Sequence, residues 1–263
     1  GGTDTFELYA LGSGSDYTPF IQHAGIASLN LGFGGENEGG EYHTIYDTYT
    51  HYKRFKDPEM AYGVALANTA GRIVLRLANA EALPFAFKPW EETVSGYLDQ
   101  VETLLVKMRE DTEKHNRLVS RDAYRLSADP SKPFTVPEKK QAVPYLDFSA
   151  LHNAMQSLDP LVEAYSVKEG TRLPAETRKT LNTLLMEAEQ QLTRNEGLPG
   201  RAWYKHQIYA PGFYTGYGVK TLPGVREAIE QRDWDEAQKQ IGVLAATLRQ
   251  MAEHLKKIHA LMP

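Results

Sequence analysis

The carboxyl-terminal part of the chain carries an apolar pattern that strongly constrains its fold. Seven apolar residues recur there at alternating spacings of four and three: Ala237, Ile241, Leu244, Leu248, Met251, Leu255 and Ile258. Because these spacings repeat every seven residues, the side chains form one stripe along a helix. The pattern predicts a long amphipathic helix that packs in a bundle.

Three other segments also show helical spacing of apolar residues, namely 98–108, 151–165 and 181–192. Pro160 lies inside the second segment and should kink or split that helix. Together with residues 237–258, these segments predict an α-helical domain that resembles a four-helix bundle.

Two long connections of this domain are not ordinary loops. Residues 120–146 contain four prolines, which favour an extended stretch wrapped on the bundle. Residues 197–217 are dense in aromatic side chains and are interrupted by glycine and proline. We expect this loop to pack across another surface, because aromatic side chains at this density seldom stay in solvent. Long loops in compact domains also tend to be functional.

The first third of the chain has a different composition. Residues 1–86 hold five Lys or Arg against ten Asp or Glu, whereas the rest of the chain holds 24 of each sign. Ten of the 21 glycines lie within the first 40 residues. Short apolar segments beside glycine-rich loops favour an α/β layer rather than a helical bundle.

The order of elements in this third predicts a partial sheet. Residues 6–10 favour a strand, a helical stretch follows Asp16 and ends at Gly25, and residues 26–33 alternate as a second strand does. A strand–loop–helix–strand unit is parallel, and two strands alone do not form a stable domain. We therefore expect the missing sheet partners to lie outside this chain, with a helix over about residues 58–80 closing the section.

Composition excludes several classes of protein. The chain has no cysteine, which rules out disulfides and Cys-ligated metal sites. Its net charge of −5 argues against a nucleic-acid surface. No apolar run is long enough for a membrane span, and the first residues lack the pattern of a signal peptide. We expect a soluble globular piece without a membrane segment.

Two short motifs are candidates for chemistry, although each has an ordinary explanation. His43 follows a glycine-rich loop and lies beside tyrosines, so it is a possible zinc ligand or a hydrogen-bonded structural histidine. Residues 13–16 are either an anion-binding turn at a helix start or a plain capped turn. Neither a phosphate-loop lysine motif nor a nucleophile-elbow serine motif is present in the sequence.

Three segments together resemble a known family. They are LGSGSDY at residues 11–17, YHT at 42–44 with DTY at 47–49, and the run from GLP at 197–199 to KHQIYAP at 205–211. In order and spacing they are similar to the carboxyl-terminal part of the glutamate carboxypeptidase II and transferrin receptor-like zinc exopeptidases. The resemblance implies that residues 1–86 are the end of a zinc peptidase domain and residues 87–263 a helical dimerisation domain.

The resemblance also implies roles for individual residues. His43 would be a ligand of one of two zinc ions, and Tyr42 would donate a hydrogen bond to the tetrahedral intermediate. Ser13, Gly14 and Ser15 would line the substrate cleft, and Tyr217 would bind the carboxylate of the released residue. The family's asparagine in the turn is Ser15 here, and a family lysine is Gly216, so the sequence leaves open which amino acid is released.

Most of the expected zinc ligands and the general base would lie upstream of this chain. The complete parent would then be a dizinc exopeptidase that hydrolyses peptide bonds, while this chain alone would bind zinc weakly and be inactive. The helical domain implies a homodimer, and the resemblance favours an extracytoplasmic location. Two alternatives remain: a non-catalytic receptor-like dimerisation module, or a helical bundle with an α/β appendage.

Overall fold

The computed structural model describes residues 9–33, 40–165 and 173–262, which are mostly helical. The α-helices are α1 (Tyr49–His51), α2 (Ala61–Ala78), α3 (Phe87–Ser120), α4 (Ser149–Gln156), α5 (Asp159–Ala164), α6 (Ala175–Glu187), α7 (Pro223–Glu230) and α8 (Trp234–His259). Shorter helical turns span Pro19–Ala24, Tyr52–Lys56, Ala123–Ser127 and Glu189–Leu192. Strands β1 (Tyr209–Pro211) and β2 (Val219–Thr221) pair antiparallel, with Ala210 opposite Lys220.

The described residues divide into two compact units. The first unit contains residues 9–27, 86–165 and 183–262, and the second contains residues 28–33, 40–85 and 173–182. The first unit holds the small sheet and every helix from α3 to α8 except the beginning of α6. The boundary near residue 86 that the sequence suggests for two domains stays a prediction.

The predicted stripe on α8 is confirmed as a buried face. All seven residues of the stripe between residues 237 and 258 are at most 3% exposed, and α8 packs against α4, α5 and α7. Asp233 caps the start of the helix, because its carboxylate accepts a hydrogen bond from the backbone N–H of Glu236 at 3.1 Å. The stripe therefore builds the core of the first unit itself.

The break predicted at Pro160 is also confirmed. Helix α4 ends at Gln156, and α5 begins at Asp159 with the proline in its first turn. A proline is tolerated there because the first N–H groups of a helix have no partner within the helix. Leu151, Leu158 and Val162 remain buried across the break, so the two short helices bury one continuous apolar stripe.

The proline-rich connection lies along α3, as predicted. Apart from the turn Ala123–Ser127, residues 121–146 have no helix or strand. Asn116 on α3 holds Lys140 by two 2.8 Å hydrogen bonds, one to the backbone N–H and one to the carbonyl. Arg109 donates to the carbonyls of Val143 and Pro144. Side chains of one long helix thus satisfy the backbone of the extended segment.

The expectations for the first third of the chain are only partly met. The helical stretch ends at Gly25, which has a left-handed φ of 64°, and α2 matches the predicted helix at 58–80. The strand predicted at residues 26–33 is wrong: these residues form no ladder, and Leu29 and Phe33 are exposed. Alternation shows that a segment can pair, but a strand forms only where a neighbour supplies hydrogen bonds. The strand predicted at 6–10 lies mostly outside the described residues, and Tyr9 and Ala10 are not in a strand.

Within the described ranges, none of the helices has the length and apolar character needed to cross a membrane.

Candidate functional site

The first unit brings the predicted glycine turn into contact with the predicted tyrosine. The backbone N–H of Ser13 donates to the carbonyl of Tyr217 at 3.1 Å. A Cβ atom at Gly12 would lie 2.0 Å from that carbonyl oxygen, and one at Gly14 would lie 2.7 Å from the Tyr217 ring. Because only glycine fits at these distances, the turn and the tyrosine pack as one surface.

The turn is fixed from behind by Gln22. This side chain is fully buried, and its amide donates to the carbonyls of Leu11, at 3.0 Å, and Gly12. The backbone carbonyl of Gln22 accepts hydrogen bonds from the backbone N–H groups of Lys205 and His206, at 2.8 and 3.2 Å. Residues 11–13 are therefore tied to the loop that precedes β1.

Tyr217 lies on the connection between β1 and β2. Gly212 donates its N–H to the carbonyl of Gly218 at 2.9 Å, and Gly218 donates to Thr215 at 3.0 Å, so the connection is closed by its own backbone. Tyr217 is 59% exposed, so much of this residue is open to solvent. Ser15 is also exposed and Ser13 is half-buried.

A cavity of about 300 Å³ opens beside this contact. It is lined by Ser13 from the turn, by Gly216 from the connection, and by Arg201, Tyr204 and Phe213, all within the first unit. Its lining thus combines aromatic side chains with backbone and with the guanidinium of Arg201, which is itself paired with Glu227. A cavity with apolar walls and a few polar groups suits a small organic ligand.

The buried His206 contacts the backbone where β1 begins. The Nδ1 atom of His206 accepts from the N–H groups of Ile208 and Tyr209, so Nε2 carries the hydrogen and donates to Glu189 Oε1 at 2.9 Å. The Tyr209 hydroxyl donates to the same carboxylate oxygen at 3.2 Å. Burial, together with the negative charge of Glu189, raises the pKa of Tyr209 well above its ordinary value. No sequence pattern indicates this network, because its partners are separated by up to 20 residues without a motif.

The predicted zinc ligand lies in the second unit. His43 and Tyr42 are both exposed, and their rings stack with centroids 3.9 Å apart. His43 has a left-handed φ of 58°, in a turn that Thr44 closes by donating its N–H to the carbonyl of Glu41 at 2.9 Å. Non-glycine residues adopt this conformation at a cost, so the turn at His43 stores local backbone strain.

The residues around His43 do not by themselves form a metal site. Zinc in proteins takes about four ligands from His, Cys, Asp or Glu and water. No cluster of three such side chains lies close enough to hold a metal ion in the part of the chain that the structure describes. The imidazole of His43 fits as one ligand, and a complete zinc site would need further donors.

The chain is similar to known proteins over almost its whole length. Residues 146–256 match the family described as the transferrin receptor-like dimerisation domain. The probable glutamate carboxypeptidase LAMP1 of Arabidopsis thaliana is 29% identical over 97% of this chain and 33% of its own length. The aminopeptidase NAALADL1 of Rattus norvegicus is 27% identical over 94% of this chain and 31% of its own length.

A third relative is named as an inactive protein. The inactive zinc metalloprotease C354.09c of Schizosaccharomyces pombe is 24% identical over 89% of this chain and 27% of its own length. The chain therefore spans about a third of the length of the curated relatives that it matches.

Proposed function

Because this chain belongs to the glutamate carboxypeptidase and transferrin receptor-like family, we propose that it supplies the dimerisation domain and part of the substrate pocket of a peptidase. The observation that carries the proposal is the contact between the turn at residues 12–14 and Tyr217. Two segments about 200 residues apart in the sequence meet beside one cavity. An exposed tyrosine hydroxyl there is suited to bind a carboxylate of the substrate.

The proposed substrate is a peptide, and the proposed reaction is hydrolysis of a terminal peptide bond. Ser13, Gly14 and Ser15 line the cleft, and the hydroxyl of Tyr217 donates to the carboxylate of the residue that is released. Tyr42 donates a hydrogen bond to the tetrahedral intermediate. Neither Ser15 nor Gly216 carries a charge, so recognition of the carboxylate depends on neutral hydrogen bonds and on cations from elsewhere in the complete protein.

We further propose that His43 binds one of two zinc ions in the complete protein. When bound, such a zinc pair would supply Lewis-acid polarisation of the scissile carbonyl and activation of water, with His43 as one of its ligands. The remaining ligands come from polypeptide outside this sequence, so this chain alone binds zinc weakly and has no peptidase activity.

The second unit fits a place in a larger α/β domain. Several apolar side chains of α2 are more than half exposed, including Val64, Val74 and Leu75. An apolar surface of this kind normally contacts another part of a protein. We propose that residues 1–86 complete a zinc peptidase domain whose sheet is built by other polypeptide, and that residues 87–263 form a domain like a four-helix bundle.

The proposed homodimer must use a surface other than the apolar stripe of α8. That stripe is buried within the first unit of a single chain and is not available to a partner. The match of residues 146–256 to the transferrin receptor-like dimerisation domain supports a homodimer, and this range includes α4, α5, α6, α7 and most of α8. The exposed faces of these helices are the candidates for the contact between two copies.

A non-catalytic role is the second candidate function, and the relative named as an inactive zinc metalloprotease favours it. In that case the chain dimerises and binds partners without metal. The two functions differ in what the complete protein binds, because a peptidase needs zinc and a dimerisation module does not.

The deciding experiment uses the longest natural form of the protein. A peptidase is expected to contain two zinc ions per chain by metal analysis, to release a terminal residue from short peptides, and to lose activity with a chelator. The variant Tyr217→Phe should raise KM by about tenfold, because one hydrogen bond to a charged group is lost. A dimer in light scattering without zinc or peptidase activity would refute the catalytic function and support the alternative.

A further inference from the structure

A buried ion pair is hydrogen-bonded to the beginning of the β1–β2 connection, which carries Tyr217. One terminal nitrogen of Arg201 donates to the carbonyl of Pro211, and the other donates to Glu227 on α7. The two side chains are only 11% and 12% exposed. The guanidinium lies 5.6 Å from the ring centroids of both Tyr204 and Phe213, so aromatic side chains shield the pair from water.

The carboxylate of Glu227 holds a second point of the same connection. Its other oxygen, Oε1, accepts a hydrogen bond from the backbone N–H of Phe213 at 2.6 Å. The ion pair therefore contacts the backbone on both sides of Gly212. The N–H of Gly212 in turn donates to the carbonyl of Gly218, the residue that follows Tyr217.

A continuous chain of contacts thus joins α7 to the glycine turn. It runs from Glu227 through Arg201 to residues 211–213, across the closed connection to Tyr217, and from the Tyr217 carbonyl to the N–H of Ser13. The bonds from the ion pair fix the backbone at Pro211 and Phe213, before Tyr217, and the bond from Gly212 to Gly218 fixes it after Tyr217. Movement of residues 211–213 would displace both the tyrosine and the turn.

The ion pair is poorly suited to a purely stabilising role. Burying two charges is costly, and an apolar pair of similar volume is often at least as stable. The Nε atom of Arg201 is buried and has no hydrogen-bond partner among the described residues, which adds a further cost. What the pair provides is geometry, because the planar guanidinium reaches two acceptors in fixed directions.

We propose that Arg201 and Glu227 are positioning residues that set Tyr217 against the glycine turn and so determine how tightly the site holds a substrate carboxylate. This inference rests on the proposed function for its link to substrate. The positional link between the ion pair and the turn stands on the contacts alone.

The first test is a kinetic comparison in the longest natural form of the protein, with a peptide that ends in a free carboxylate. Glu227→Gln should raise KM about tenfold and leave kcat within about twofold, since binding geometry rather than chemistry is changed. Arg201→Lys should act in the same direction, because one ammonium does not hold both acceptors. If the pair only stabilised the fold, fewer molecules would be active, so kcat would fall at unchanged KM, and that result would overturn the proposal.

Glu230→Gln is the matched control. Glu230 lies on the same helix α7 and pairs with Lys220 at 2.7 Å, and it loses the same charge on substitution. Lys220 lies on β2 rather than at residues 211–213. The KM of Glu230→Gln should stay within about twofold of that of the unaltered protein, because the hydrogen bonds from Arg201 and Glu227 to Pro211 and Phe213 are intact.

Hydrogen exchange followed by mass spectrometry separates this inference from the proposed function. Glu227→Gln should increase exchange at least about tenfold in peptides covering residues 211–218 and 11–15, while Glu230→Gln leaves both unchanged. If the protein has no peptidase activity but exchange rises in both segments, the proposed function fails and the positional link survives. Unchanged exchange at residues 11–15 would overturn the link whatever the activity.

Discussion

The substitution Gly14→Ala tests how tightly the turn packs on Tyr217. Gly14 has a φ of +89°, and an alanine Cβ would lie 2.7 to 2.9 Å from three ring atoms of the tyrosine. The left-handed conformation costs an L-residue about 1–2 kcal/mol, and overpacking typically costs about 1–3 kcal/mol. Because one of the three atoms is Cγ at the root of the ring, rotation of the ring does not relieve the overlap. The free energy of unfolding should therefore fall by about 2–5 kcal/mol.

Two other glycines separate the conformational cost from the overlap. Gly216 also has a positive φ, of +59°, but nothing lies within 4 Å of an added Cβ, so Gly216→Ala should cost only about 1–2 kcal/mol. Gly242 is exposed on α8 with open space around it. Gly242→Ala should stabilise the protein by about 0.5–1 kcal/mol, because alanine has the higher helix propensity.

Urea unfolding of the three variants and the unaltered protein measures these free energies, with m-values checked for constancy. The expected order of stability is Gly242→Ala, then the unaltered protein, then Gly216→Ala, then Gly14→Ala. If Gly14→Ala and Gly216→Ala were equally stable, the overlap with the ring would not exist. The contact on which the candidate site depends would then be refuted.

Two further predictions concern the core and the second unit. Leu248→Ala should lower the free energy of unfolding by about 2–5 kcal/mol, because Leu248 is 0% exposed on α8. As a control, Leu126→Ala should change the free energy of unfolding by less than about 0.5 kcal/mol, because Leu126 is 90% exposed. Equal effects of the two substitutions in urea unfolding would contradict the assigned core. Burial acts to raise the pKa of Asp57, but hydrogen bonds from the N–H groups of Gly63, Tyr62 and Ala61 together hold that pKa below its ordinary value. The unaltered protein should therefore be more stable than Asp57→Asn above the unfolded pKa of the aspartate, which is about 4. This difference in the free energy of unfolding should be lost as pH falls through the lower pKa of the folded state. A difference that stayed constant from pH 7 to pH 3 would refute the assignment.

The helices of the first unit could be predicted from the sequence because their signals are local. The stripe of α8 repeats over six intervals, and each residue of it is buried in the structure. Pro160 and Gly25 mark the beginning of one helix and the end of another through their own backbone preferences. These properties belong to single residues or to one helix face, so no knowledge of distant partners is needed.

The strand at residues 26–33 and the supporting ion pair show where local signals fail. The alternating pattern at 26–33 is compatible with a strand, but a strand depends on a neighbour that no local pattern specifies. Arg201 and Glu227 are 26 residues apart and lie on a loop and a helix, without a shared period. Their pairing follows from the fold, and sequence patterns of period 2 or 3.6 carry no trace of it.

The aromatic loop at residues 197–217 is anchored in a way opposite to the one its composition suggests. Its buried members are Leu198, His206, Gln207, Ile208, Ala210, Pro211 and Gly212, whereas Trp203, Phe213, Tyr214 and Tyr217 are 46% to 82% exposed. The expectation that the loop packs is confirmed, but aliphatic and polar residues make that contact. These four rings stay partly exposed on a fixed backbone, although that of Phe213 lies against Arg201 and that of Tyr217 lies against Gly14. Binding through such rings loses little conformational entropy, and amphipathic tyrosine and tryptophan side chains are well suited to recognition surfaces. The same loop that gives the first unit part of its core thus offers a ready surface for a ligand or a partner.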